Sequence, residues 1–218
     1  IENFPASWDS RVLSAAGAGD VDALLQLLDD GAEVDQTLGD GVTSLYIACE
    51  KGHVEVARLL LDKGAGVDRA SRNGRTPLFI ACKNGHADVA RLLLDRGADV
   101  HRNDSHNSRP LHLASYYGHI EIVKLLLDSG AIADLNVTDK DGDTPMANAE
   151  HVGHSSIVAL LKEQLDLKFP LHAAARTGNV EAMTHLLDGG AEVDAKKDGA
   201  TPLFVACEHG HVDAARLL

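Results

Sequence analysis

The sequence predicts an all-α solenoid, in which short helix-turn-helix units stack side by side and β-turn or hairpin fingers join each unit to the next. Three observations predict it. The pairs Gly52-His53, Gly85-His86 and Gly118-His119 recur every 33 residues, a period typical of stacked repeats. Gly19-Asp20 lies one period earlier, and Gly153-His154, Gly178-Asn179 and Gly210-His211 follow at intervals of 35, 25 and 32, giving seven copies. Once the copies are superimposed, the rare residues fall into register: Pro77, Pro110, Pro145, Pro170 and Pro202 share one slot, and Cys49, Cys82 and Cys207 another. Aromatic residues are only 4% of the chain, which favours a core of Leu, Ala and Val over a large β-sandwich.

The elements follow from the slots in order. Thr76 and Thr201 stand where a helix N-cap needs a hydroxyl, and the next position takes a proline because it has no intrahelical donor to lose. The first helix of each copy ends at Gly52, Gly85 or Gly118, where glycine enters the left-handed region. The second helix carries Val56, Ala57, Leu60 and Leu61 as one buried stripe and stops at Gly64-Ala65. Val67 to Gly74 is polar with a glycine tip, as a finger should be. One such pair cannot bury its own apolar face, so stability comes from neighbours stacked at about 9 Å.

The first-helix segments Thr76-Pro77-Leu78-Phe79-Ile80-Ala81, Thr201-Pro202-Leu203-Phe204-Val205-Ala206 and Pro170-Leu171-His172-Ala173-Ala174 resemble the Thr-Pro-Leu-His-x-Ala signature of the ankyrin repeat. The resemblance spans nearly the whole chain. It implies an ankyrin-repeat solenoid of six to seven repeats that binds a partner protein through its concave face and finger tips.

Several copies depart from the pattern. Copy one, Ser10 to Gly31, has Ser10-Arg11-Val12-Leu13 in place of the signature and reads as a polar N-terminal cap. Copy four carries Arg109 in the Thr slot, which removes the capping hydroxyl and predicts a fraying first helix. Copy five has Lys162 in the Leu61 slot, Leu165 in the Gly64 slot and no room for a finger, so it reads as an end cap. The expected organisation is a lead-in over 1–9, a first block of repeats one to five over 10–166 capped at both ends, and a second block over 167–218 that opens with Phe169 in the Thr slot. Copy seven stops at Leu218 without a cap and the first residue is Ile1, so the polypeptide is expected to continue beyond this stretch.

Composition and motifs narrow the chemistry. Twenty Lys and Arg against 33 Asp and Glu give a net charge of −13, which repels phosphate backbones and argues against nucleic acid. No apolar run approaches membrane-spanning length, and no secretory signal opens the chain. Seven histidines are slot residues spaced too far apart to share an ion, which leaves only His151-x-x-His154 and His209-Gly210-His211 as weak metal candidates. Asp139-x-Asp141-x-Asp143 with Glu150 mimics a calcium loop, but Thr144 stands where that loop needs glycine, and the same residues serve as finger and helix cap. The cysteines read as small buried residues carrying inert thiols, which fits a cytoplasmic chain, or a nuclear one. No phosphate loop or nucleophile elbow is present, so no cofactor and no catalysis are expected.

The recognition residues are those that the repeat framework does not explain: Val42, Glu50 and Lys51 in copy two, Arg72, Asn73, Arg75, Lys83 and Asn84 in copy three, and Ser105, His106, Ser108, Tyr116 and Tyr117 in copy four. They combine a locally basic strip with two adjacent tyrosines, side chains common at interface anchor points. They suggest a monomeric module whose partner protein offers an acidic segment. The alternatives are a substrate-recruiting region of a larger enzyme, such as a kinase or ubiquitin-ligase subunit, and a spacer that binds nothing. The resemblance also implies a modification site, since ankyrin fingers resemble substrates of asparaginyl hydroxylases. Of the corresponding residues Asp35, Asp68, His101, Asn136 and Asp194, only Asn136 keeps the amide.

Overall fold

A computed structural model describes residues 7–37, 39–197 and 199–218. Among these residues the chain forms paired α-helices and no extended sheet. The pairs are α1 (Ser7–Ala18) with α2 (Val21–Asp29), α3 (Ser44–Lys51) with α4 (Val54–Asp62), α5 (Pro77–Asn84) with α6 (Ala87–Asp95), and α7 (Pro110–Tyr116) with α8 (Ile120–Asp128). A 3-10 turn, Ala131–Asp134, precedes α9 (Pro145–Val152) and α10 (Ser155–Lys168). Then come α11 (Pro170–Thr177) with α12 (Val180–Asp188), and α13 (Pro202–Glu208) with α14 (Val212–Leu217). The chain divides within α10 into two compact units, one reaching to Ile157 and one from Val158 onward. No described helix is long and apolar enough to cross a membrane.

The caps act as the slots require. The Oγ1 atoms of Thr43, Thr76, Thr144 and Thr201 accept from the backbone N–H of Tyr46, Phe79, Ala147 and Phe204 at 3.1–3.3 Å. Thr76 is fully buried, so Thr76→Ala should cost about 1 kcal/mol, read as a lower urea midpoint, with Thr76→Ser, which keeps the capping hydroxyl, avoiding most of the loss. Gly85 closes α5 at φ +79°, and an added Cβ there would lie 2.5 Å from the His119 ring. That ring is held in place because His119 Nε2–H donates to Lys83 O at 3.2 Å. His53, His86 and His154 reach back in the same way to Gly17 O, Glu50 O and Tyr116 O, and His211 to Arg176 O in the second unit. The recurring histidines thus occupy the free carbonyls at the ends of the first helices, the groups a helix C-terminus leaves unpaired.

Several expectations are corrected. Helix α1 begins at Ser7, three residues before the slot of Thr43. Residues 7–9 therefore belong to a helix and not to a lead-in, and residues 1–6 lie outside the described ones. In the second-helix stripe Val56, Ala57 and Leu60 are buried, but Leu61 is only half-buried. Cys49 and Cys82 are buried, and burial pushes both thiols far up, whereas Cys207 is exposed. In α10 the glycine that stops α4, α6 and α8 is replaced by Leu165, which is buried, so the helix runs on to Lys168 and meets Pro170 with no finger between them. Lys162 lies on the exposed side of that helix.

At the start of α7, where Arg109 stands in the Thr slot, other contacts surround the helix end. His112 stands three residues inside the helix and its Nδ1 accepts from Arg109 N–H at 3.2 Å, while its Nε2–H donates to Val137 O at 2.9 Å. Burial holds the His112 pKa below its ordinary value, in keeping with the neutral ring that these two bonds require. The Arg109 guanidinium pairs with the fully buried carboxylate of Asp134, which also meets His101 Nδ1 at 2.9 Å. A positioned ion pair replaces the missing hydroxyl.

Candidate partner-binding surface

In the first unit the fingers are joined tip to tip by single backbone hydrogen bonds. Arg72 N–H donates to Asp40 O at 2.8 Å, Ser105 N–H to Asn73 O at 2.8 Å and Lys140 N–H to His106 O at 2.9 Å. Inside two of these fingers an aspartate folds the tip. Asp104 Oδ1 accepts from His106 N–H and Ser108 N–H at 2.8 and 3.2 Å, and Asp139 Oδ1 accepts from Asp141 and Asp143 N–H at 3.0 Å. Asp139, the first of the calcium-like carboxylates, is therefore occupied as a turn former. Among the described residues no group of three His, Cys, Asp or Glu is placed to hold a metal ion.

The ends of the first helices form the second row of the strip. Glu50 O accepts from Asn84 Nδ2 and His86 Nε2, both at 3.0 Å, and Lys51 is exposed beside it. Tyr116 and Tyr117 remain 45% and 43% exposed. Their rings meet edge to face at 5.1 Å, Tyr117 stacks on His119 at 6.4 Å, and Lys83 Nζ lies 6.0 Å from the Tyr117 centroid. Val152, in the Tyr117 slot of the next repeat, is equally exposed. These three share one row of helix ends, while Leu25 and Ile132 are exposed elsewhere in this unit.

The basic character expected of the strip is corrected. Arg75 Nε lies 3.4 Å from the buried carboxylate of Asp104, and its guanidinium covers the Phe79 ring at 5.8 Å. Arg72 is exposed but donates to the Gly39 carbonyl. Between these finger residues and α3 lies an open groove of about 420 Å³, lined by Asp40, Tyr46, Glu50, Ser71, Arg72 and Asn73 among others. Sequence reasoning missed Tyr46, Asp40 and Val152. Tyr46 occupies the slot of the buried Phe79, which gives no signal of a surface role, while Val152 was signalled by sharing the Tyr117 slot. Asn136 is half-buried in a turn closed by Val137 N–H donating to Asp134 O at 3.0 Å.

Comparison with known families bears on the same segments. A family model described as ankyrin repeats in three copies matches residues 12–104 and 162–218. One described as ankyrin repeats in many copies matches 93–149. The matched segments cover most of the sequence and coincide with the helix pairs, their glycine stops and the fingers between them, and on that ground the chain belongs to the ankyrin-repeat family.

Proposed function

We propose that this chain binds a partner protein through the strip formed by finger tips and first-helix ends of copies two to four, and that it performs no catalysis itself. Ankyrin repeats are in general protein–protein interaction modules. The observation that carries the reading is the exposure of Tyr116 and Tyr117 side by side. Their equivalents Glu50 and Lys51, or Lys83 and Asn84, are polar. A solvated helix end has no use for two adjacent aromatics, whereas an interface anchor does. A partner covering this row would bury about 800 Å² here with little backbone movement.

Binding energy should concentrate at the tyrosines. Replacing either by Ala is expected to weaken a partner isolated from the native host by about 2 kcal/mol, mainly through faster dissociation. Surface plasmon resonance with the purified partner measures this. Arg58 and Arg91, exposed on the second helices, should tolerate Ala with no effect. The opposite pattern would place the binding face on the second helices.

A further inference from the structure

The helix that carries Tyr116 and Tyr117 starts unlike its neighbours. α3, α5 and α9 begin on the hydroxyls of Thr43, Thr76 and Thr144, groups that do not titrate. At α7 the corresponding bond goes to an imidazole: His112 Nδ1 accepts from Arg109 N–H, and its Nε2–H donates to Val137 O in the next finger. His112 is buried, as are Tyr46 and Phe79 in the same slot. A backbone N–H can only donate, so Nδ1 must carry no proton, and one added there would set two donors against each other. The histidines that link one repeat to the next are built differently. His53, His86, His119 and His154 reach the preceding repeat by donating through Nε2, and a charged ring donates there as well.

We propose that His112 is an acid-sensitive latch: neutral, it ties the start of α7 to the finger at Val137, and protonated, it releases both. The charges facing the ring are divided. Asp139 in the finger and Asp134 in the 3-10 turn favour the charged form, while Arg109 at the start of α7 opposes it. Asp139 is engaged in its own turn, and Asp134 by Arg109 and His101. Of the helices packed on α7, α5 carries Lys83, α8 carries Glu121, Lys124 and Asp128, and α9 carries Glu150 and His151, all at half-buried or exposed positions. Burial outweighs the carboxylates and keeps the ring's pKa below its ordinary value. A base whose pKa is lowered by folding stabilises the fold only while neutral. That contribution is complete above the ordinary value of about 6.5 and is lost as the pH falls below it. The consequence for binding rests on the proposed strip, because acid would loosen the helix that presents its two anchors.

Hydrogen exchange with mass spectrometry on the full chain tests this without a partner, at about pH 7.5 and about pH 5.5, corrected for the intrinsic pH dependence of exchange. α7 and the finger over 135–143 should open more readily in acid, by up to about tenfold, the bound set by a pH one unit below the ordinary histidine value. α5, with its hydroxyl cap and Phe79 in the slot, should change by less than about twofold. His112→Phe places the side chain of copy three at this position and should abolish the pH response of α7, whatever it does to the protection at neutral pH. Proton–nitrogen correlation NMR of the parent reads the ring itself, expected as the Nε2–H tautomer and titrating below the ordinary value. Equal pH responses of α5 and α7, an undiminished response of α7 in His112→Phe, or a His112 ring titrating at or above the ordinary value would each overturn the latch. If α7 fails to respond while the tyrosine variants still lose the native partner, the latch falls and the binding strip stands.

Discussion

Asp134→Ala is expected to destabilise the first unit by about 3 kcal/mol, among the largest single losses available outside its apolar core. Asp134 is fully buried and meets both Arg109 and His101. Its removal strands the Arg109 guanidinium at the start of α7, in the position where α5 has a capping hydroxyl. The side chain of Arg109 keeps 27% exposure, so water recovers part of the charge and the cost stays below that of a wholly buried ion. Asp134 Oδ2 and Arg109 Nε are both buried without a partner among the described residues, so the native pair is itself incompletely compensated. Replacing both partners should then be mild, because Arg109→Thr removes the stranded charge and installs the hydroxyl that Thr76 supplies in copy three. The double variant should return to within about 1 kcal/mol of the parent, a coupling that a double-mutant cycle in urea would measure. A loss below about 1 kcal/mol for Asp134→Ala alone would show that the pair does not hold α7.

This pair also shows what sequence reading can and cannot reach. Helix starts and stops were legible because Thr, Pro and Gly at fixed slots act through the local backbone, and the same local rule recurs wherever those residues are kept. Arg109 was visible as a departure, but its compensation arrives from Asp134 across an insertion, and only the folded chain brings the two together. Arg75 behaves likewise. It read as a free cation because its partner Asp104 is disguised as the turn former of the next finger. Tyr116 and Tyr117 were legible as exposed because they stand in a slot that is polar in copies two and three, whereas Tyr46 stood in an aromatic slot, where a hydroxyl changes nothing that periodicity can detect. Side-chain chemistry that depends on a neighbour one repeat away is written in two places, and neither half declares itself alone.

The second large effect concerns the unit from Val158 onward, whose amide protons are expected to exchange well before those of α3 to α8. Beyond Leu161 and Leu165 of α10, its buried apolar cluster is Leu171, Ala174, Ala175, Met183, Ala206 and Ala214. Four of these six are alanines, each removing little apolar area from water. The slots that should do more are open. Leu203 and Phe204 are 42% and 59% exposed, while their equivalents Leu78 and Phe79 in copy three are 0% and 2%. Leaving a leucine and a phenylalanine half in water forfeits about 2–3 kcal/mol. In a quasi-one-dimensional array each pair depends on its neighbours for that burial, so the deficit is local and should appear as a separate, earlier opening. Hydrogen exchange followed by mass spectrometry on the intact chain would read it peptide by peptide. Leu171→Ala should accelerate exchange in α11 to α14 and leave α5 to α8 unchanged. Equal protection of α5 and α11 in the parent, or loss of protection in α5 to α8 on changing Leu171, would mean that the two units open as one.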